Sequence, residues 1–486
     1  MNMRHPGHLT LSLLCTALLA SSALAQITPG NLVVTRIGTG AATLTSASTA
    51  VFLEEYTTAG ALVQPPIAMP TAPSGLNLPI TNNGSATSEG FITQSEDARY
   101  LITVGYGVAP GTVTVNTTTS LAVNRVIARI ALDGTIDTTT ALTDGFSGSN
   151  IRSAASSDGS QFWAAGTASP AATGGVRHTT LGATTSTQLS LTPTNMRVVN
   201  VYGGQVYCSS SSGTFLGVST VGTGLSTTAG QTTTLLPGFP VVAGPSSYDY
   251  FFADANTLYV ADDRASAFGG IQKWVFAAGT WTLAYTLQAA TNIGCRSVSG
   301  FVNGGVTTLF ATTNNSLLVT AVDAGIGSPF TTLVTAATNT ALRGVRWVRT
   351  PASVVHSGTS CATSVGTPLI STNGNPITGN LGFQITASNT PFPTFVMFSL
   401  KVGPASLFGF PVPGTPACAL IYVLPDVLLA ELSDAFGNAA TPLSIPANAS
   451  LGGTVIAAQA VPFDVTLLGF DLPVGTTDVI TITIGN

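Results

Sequence analysis

The sequence predicts an all-β protein, and three observations carry that expectation. The chain holds 52 Gly with abundant Thr and Val, and no long stretch keeps the Ala/Leu/Glu/Lys spacing of a helix. A short strand with a charged residue recurs: Asn150-Ile151-Arg152-Ser153, Asn195-Met196-Arg197-Val198, Gly294-Cys295-Arg296-Ser297 and Ala341-Leu342-Arg343-Gly344. Its steps of 45, 99 and 47 residues fit one period of roughly 45–50 with a copy skipped near Tyr248-Asp249-Tyr250, and an earlier copy stands at Ser88-Glu89-Gly90. Third, each copy is followed by a turn rich in Asp, Asn or Gly and an aromatic-bearing strand, as in Ser156-Ser157-Asp158-Gly159 before Phe162-Trp163, and Tyr202-Gly203-Gly204 before Tyr207. Tight hairpins need those residues because they tolerate positive φ or bond their own backbone.

In chain order, residues 1–25 read as a signal peptide. Arg4 supplies the positive region, Leu9 to Ala20 the apolar one, and Ala23-Leu24-Ala25 the cleavage site. Residues 26–350 hold six units of about four strands each, the pattern of a six-bladed β-propeller. Asn31–Ile37, Val51–Tyr56 and Ala61–Gln64 precede the first unit without an innermost partner, while Arg343–Val348 is an innermost strand with nothing after it. Pairing of the two ends closes the ring without bare edges. Residues 351–359 read as a linker. Residues 360–486, where Pro-rich turns separate short apolar strands such as Thr394–Leu400 and Asp478–Ile484, read as a β-sandwich. Cys361 and Cys418 fall in that last region and are the expected disulfide, worth about 4 kcal/mol on the chain-entropy account; Cys208 and Cys295 are expected as buried thiols.

The Ser156-x-Asp158-Gly159-x-x-Phe162 hairpin and the outer Gly-containing hairpins resemble those of bacterial extracellular β-propellers of the broad NHL/YVTN kind, over about Asn31 to Arg349. The region from Ser360 resembles the C-terminal modules of secreted proteins of environmental bacteria. The resemblance implies architecture and an extracellular setting, since propellers host enzymes, adhesins and scaffolds alike.

Aligning the inner strands puts Glu89, Arg152, Arg197, Asp249, Arg296 and Arg343 at one level of the central channel. Either the two acids pair with neighbouring arginines and plug the channel, or the surplus positive charge binds an anionic ligand. Only 7% of residues are charged and the net charge is −5, so no basic stripe is available for nucleic acid. After the signal segment only His178 and His356 remain, far apart and without ligand or triad spacing, which argues against a zinc site and against a Ser-His-Asp enzyme. Asp254, Asn256, Asp262 and Asp263, like Asp133 and Asp137, read as turn residues rather than calcium ligands. Trp163, Trp274, Trp281 and Trp347 read as packing between units. After Gln26 no apolar run is long enough to span a bilayer. The expectation is a secreted, non-catalytic binding or structural protein with no cofactor or metal, contacting polysaccharide or an envelope protein through a propeller face. The alternative is an extracellular hydrolase or lyase acting on an anionic substrate with Glu89 and Asp249. The sequence leaves the oligomeric state open.

Overall fold

The structure is a computed structural model and describes residues 25–242, 244–467 and 469–486. The expected signal peptide therefore lies, apart from Ala25, outside the described residues. The fold is all-β, and the helical elements among the described residues are the single-turn 3₁₀ segments Val115–Thr117, Ala171–Thr173 and Ala449–Leu451.

Four successive four-stranded antiparallel meanders follow the chain order. They begin at the strands Ile151–Ala155, Val199–Tyr202, Ser247–Asp254 and Cys295–Asn303 and end at Thr187–Gln188, Thr233–Leu235, Thr280–Leu287 and Phe330–Thr335. The connections explain why each meander folds locally. Gly203 and Gly204 take φ of 58° and 69°, the mirror-image turn whose twist matches that of the flanking strands.

The two ends of this region meet. Leu32–Ile37 pairs antiparallel with Ala341–Trp347, Leu32 opposite Trp347 and Arg36 opposite Leu342, while its other edge runs along Ser48–Tyr56. The same sheet continues through Thr81–Asn83 to Tyr100–Tyr106, Arg125–Ala131 and Ile136–Leu142, with Ile92–Gln94 on the edge of Tyr100–Tyr106. One expected strand is shortened. Residues 57–61 form the turn, closed by the Thr57 amide on the Ala61 carbonyl; of the strand expected at 61–64, Leu62 bridges Tyr56 and the Val63 amide reaches the Glu55 carbonyl, and the two-residue strand Ile67–Ala68 then pairs with Phe52 and Leu53. Pro65 and Pro66, which lack the N–H that a ladder needs, push the pairing past them.

The strands from residue 353 onward form their own sheets. Five strands lie in the order Ser353–Ser357, Val479–Thr483, Val455–Pro462, Phe395–Val402, Val427–Leu432, and three in the order Leu369–Asn373, Gln384–Ser388, Ala439–Pro442. Ile370, Ile385 and Ala387 of the second set meet Val396, Phe398, Ala458, Ile480 and Ile482 of the first in one apolar cluster. The stretch 351–359 differs from the expected linker. Ser353–Ser357 is a strand paired along its full length with Val479–Thr483, a partner more than a hundred residues away that local composition does not reveal.

Cys361 and Cys418 are bridged, their Cα atoms 5.1 Å apart. Cys208 and Cys295 are free and buried, and burial pushes the Cys295 thiol up to about 12. Between the third and fourth meanders Asp323 accepts bonds from Lys273 Nζ at 2.8 Å, the Tyr285 hydroxyl at 2.6 Å and the Tyr259 hydroxyl. Burial opposes its charge, but these donors outweigh burial and hold the Asp323 carboxyl below the ordinary range.

Two outcomes follow. Cys361→Ser should lower the stability of the C-terminal region by up to about 4 kcal/mol for a closed loop of this length, read as an earlier urea transition that reductant no longer shifts. A carboxylate with a depressed native pKa contributes stability above its unfolded pKa and loses it as pH falls through the native value. The stability gap between the parent protein and Asp323→Asn should therefore be widest at neutral pH and close below about pH 4. A gap that stays constant down to pH 2 would refute this.

Candidate functional site

Adjacent sheets share no continuous backbone ladder, so the first strands of successive sheets are joined by side chains and short contacts. Thr93 Oγ1 donates to the Ala154 carbonyl at 2.6 Å. Ser153 Oγ donates to the Arg197 carbonyl and accepts the Val199 amide, both at 2.9 Å. Arg197 Nη1 donates to the Ser247 carbonyl at 2.8 Å. Asp249 Oδ2 accepts the Ser297 hydroxyl at 2.6 Å and the Val298 amide at 3.3 Å. Ser297 Oγ and Ser299 Oγ accept the amides of Val345 and Trp347 at 3.0 and 2.9 Å. The Gly344 amide then reaches the Gly90 carbonyl at 3.1 Å, and Arg346 the Ile92 carbonyl at 2.8 Å.

These contacts fix the level of each inner residue. Ser153, Asp249 and Ser297 accept amides at equivalent positions of the next strand, Val199, Val298 and Val345, each two residues past an arginine. Asp249 thus stands one residue beyond the arginine level. The residue at that level is Tyr248, whose ring carries the Arg197 guanidinium at 3.8 Å. Glu89 lies before its strand, Ile92–Gln94. The expected single level of six charges is corrected: Arg152, Arg197, Arg296 and Arg343 share a level and both acids are off it. The Tyr248-Asp249-Tyr250 run permits a one-residue slip that the sequence alone does not resolve.

Both acids are fully buried. Glu89 accepts the Tyr106 hydroxyl at 2.6 Å, the Asn83 amide at 2.9 Å and the Asn150 side chain, and burial raises its pKa. Its donors are not arginines. Asp249 does pair with an arginine, but with Arg346, at 3.3 Å, rather than one of the four at the ring level; burial raises its pKa against that attraction.

The four arginines hold backbone loops. Arg152 Nη1 donates to Asn195 Oδ1 at 2.6 Å and to the Met196 carbonyl at 2.8 Å. Arg343 Nη2 donates to the Gly84 carbonyl at 2.8 Å. Arg296 bonds the Asn314 carbonyl at 3.2 Å and faces Asp263 at 3.4 Å. Burial lowers both guanidinium pKa values to about 10; repulsion from Arg197 adds to this at Arg152, while at Arg343 attraction to Glu89 outweighs repulsion from Arg296, and both remain charged at neutral pH. The rings of Phe91 and Tyr248, 5.9 Å apart and both buried, meet between the inner strands together with Val198.

At the other end of the inner strands lies a cavity of about 430 Å³, lined by Tyr202, Phe252, Phe301, Trp347, Arg346 and Arg349 and bordered by Ile377 and Ala447 from the C-terminal sheets. Sequence reasoning missed Arg346 and Arg349. Their three-residue spacing from Arg343, in a chain with only 15 Lys+Arg, was the available signal.

His178 sits half-buried beside Trp163 with Nε2 3.1 Å from Gln161 Oε1. His356 lies 2.8 Å from Asp478 in the C-terminal sheets. The structure does not bring the two together. Asp133 and Asp254 accept the amides of Thr135 and Asn256, closing their own turns, and the four tryptophans are buried.

No family model matches the chain, and no curated protein matches it. Solved structures to which it is similar are β-propeller proteins. They include the periplasmic gluconolactonase PpgL of Pseudomonas aeruginosa, 12% identical over 86% of this chain and 97% of that one with a TM-score of 0.35. The Swd1 β-propeller domain of Myceliophteria thermophila is 11% identical over 49% and 83%, with a TM-score of 0.29. YCF48 bound to D1 peptide is 11% identical over 87% and 100%, with a TM-score of 0.31. Likeness at this level assigns neither a function nor a site to this chain.

Asp249→Asn removes the charge partner of a buried guanidinium and should cost about 3–5 kcal/mol, measured by urea unfolding. Gly344→Ala places a Cβ 2.5 Å from the Ile92 nitrogen and 2.8 Å from the Gly90 oxygen. It should destabilise by about 2 kcal/mol or more through overpacking at the closing contact. A loss under about 0.5 kcal/mol in both variants would show that these contacts do not hold neighbouring sheets together.

Proposed function

We propose that the chain is an exported, non-catalytic binding protein of the cell exterior. Residues 26–350 form a six-bladed β-propeller whose last blade takes a strand from each end of the region. Residues 360–486, together with the strand Ser353–Ser357 from the segment 351–359, form a β-sandwich, and a propeller face contacts polysaccharide or an envelope protein. The meander sheets and the Leu32–Ile37 pairing with Ala341–Trp347 support the propeller reading. The Cys361–Cys418 bridge supports export.

The observation that carries the non-catalytic part is the condition of the two channel carboxylates. Hydrolysis or elimination at the channel needs a carboxylate within reach of a solvent-borne substrate. Glu89 and Asp249 are both fully buried, with donors on both oxygens of each: Tyr106, Asn150 and Asn83 for Glu89, and Tyr250, Ser297, Val298 and Arg346 for Asp249. This disfavours the hydrolase or lyase alternative.

Purified chain 26–486 should be retained by an insoluble envelope fraction or by at least one member of a panel of neutral and acidic polysaccharides, with no release of reducing ends or unsaturated products. Turnover that disappears in a folded Glu89→Gln or Asp249→Asn variant would overturn this reading.

A further inference from the structure

We propose that the cavity between the inner strands and the C-terminal sheets, together with the aromatic groove beside it, holds consecutive units of a linear neutral polysaccharide. The inference rests on the propeller-face binding reading and names the face and the chemistry of its ligand.

The first cavity, of about 430 Å³, and a second, of about 300 Å³, both open at the surface. Such volumes, with mostly apolar walls and a few polar groups, are those of small-ligand sites. The two spaces adjoin, because Tyr202 and Phe252, whose rings stack with centroids 4.5 Å apart, line both. The first cavity adds Phe301 and Trp347, 4.9 Å apart, and the second adds Phe276 and Trp281, 5.2 Å apart. This gathering of rings repeats along the chain. Tyr202, Phe252, Phe301 and Trp347 stand four or five residues past Arg197, Tyr248, Arg296 and Arg343, at one end of four successive inner strands. The C-terminal sheets supply the remaining wall: Asn448 bridges Asn303, the Asn486 amide donates to the Thr350 carbonyl at 3.0 Å, and Ile377 and Ala449 border the space.

A second observation concerns the polar groups among these rings. The Arg346 side chain is only 8% exposed and spends Nε and Nη2 on the Ile92 carbonyl and Asp249. Its Nη1 has no partner among the described residues. Arg152 Nε and Arg343 Nη1 are sealed from solvent, whereas Arg346 lines the open cavity. Glu96 gives Oε1 to the Gly204 amide at 2.8 Å and keeps Oε2. Asn200 uses Oδ1 on the Val201 amide, and its Nδ2, like the Tyr202 hydroxyl, has no partner among the described residues.

That combination suits a sugar better than an apolar side chain. The C–H face of a pyranose packs on the electron-rich face of an aromatic ring, while its hydroxyls both accept from Arg346 and Asn200 and donate to Glu96. An apolar plug would strip water from those groups and return no hydrogen bond. Charge selects within sugars. Arg346 and Arg349 at the cavity are balanced by Asp249, 3.3 Å from Arg346, and by Glu96, and the chain carries a net charge of −5. No surplus positive charge is left to favour a uronate or a sulfate. Two adjoining spaces sharing one stacked pair call for a polymer rather than a single sugar.

Calorimetric titration of chain 26–486 with linear hexasaccharides of glucose, mannose, xylose and N-acetylglucosamine, and with hexagalacturonate, tests the proposal. At least one neutral hexasaccharide should bind with a Kd below about 1 mM. It should bind at least about fivefold more tightly than its own disaccharide and than hexagalacturonate, with little response to salt. Tyr202→Leu combined with Phe252→Leu keeps apolar bulk but removes the shared rings. It should weaken the hexasaccharide at least about tenfold and erase its advantage over the disaccharide, whereas Phe268→Leu, at an exposed ring that lines neither cavity, should match the parent. If the double variant is unfolded by circular dichroism, Tyr202→Leu alone, at a half-buried residue, decides with a loss of at least about threefold. The proposal is overturned if no neutral hexasaccharide binds, if hexagalacturonate binds as tightly, or if the folded variant binds as the parent does. Retention on an envelope fraction that is lost when the fraction is treated with protease, and is weakened by Tyr202→Leu, overturns the sugar assignment in favour of a polypeptide. Retention that the folded variant keeps in full sinks this site alone; no retention on any envelope fraction or polysaccharide sinks the propeller-face reading with it.

Discussion

The structure depends on how the first strands of neighbouring sheets are joined where their backbones do not form a ladder. The solution is a set of small polar side chains, Thr93, Ser153, Ser297 and Ser299, each spanning to the backbone of the next strand. Two seams depart from this: Arg197 spans to the Ser247 carbonyl, and Asp249 places a buried carboxylate at its seam, held by Ser297, Val298 and Arg346. A buried charge is tolerated only where several donors replace water. Those donors come from the strands Cys295–Asn303 and Ala341–Trp347, so the Asp249 charge and the joining of these strands are coupled.

The basic residues tell a related story. Arg125, Arg152, Arg343, Arg346 and Arg349 all donate to backbone carbonyls. Wholly buried Arg125 alone reaches the carbonyls of Val123, Thr118, Phe146 and Ser149. Irregular loops that enter the inner strands leave carbonyls without ladder partners, and those groups must be satisfied. A planar group with five donors does this where an ammonium, a compact point charge, does not. In this chain arginine works mainly as a loop clamp.

Much of the fold was legible because its signals are local. The strands at Arg125–Ala131 and Gly270–Ala277 follow from β-branched and aromatic residues bounded by turn residues, and the spacing of the arginines gave the repeat. The expected pairing of the ends also needed only a count of strands lacking partners. What escaped depends on partners distant in sequence. The Ser353–Ser357 strand is defined by residues 479–483. The burial of Glu89 is defined by Tyr106 and Asn150, and the register of Asp249 by an amide forty-nine positions on. The site was therefore half visible: its arginines had a period, whereas the fate of its acids was settled by contacts that no period announces.

The union of Leu32–Ile37 with Ala341–Trp347 also imposes an order of events. A chain made from its amino end completes Leu32–Ile37 first and must keep one edge of it bare until some three hundred further residues have been added. During that interval the bare edge is a template for the matching strand of any other copy, and an exchange there reproduces every native contact between two molecules instead of within one. Crowded, incompletely synthesised chains of this protein are thus predisposed to domain-swapped partners, and slow dilution after synthesis favours the closed monomer.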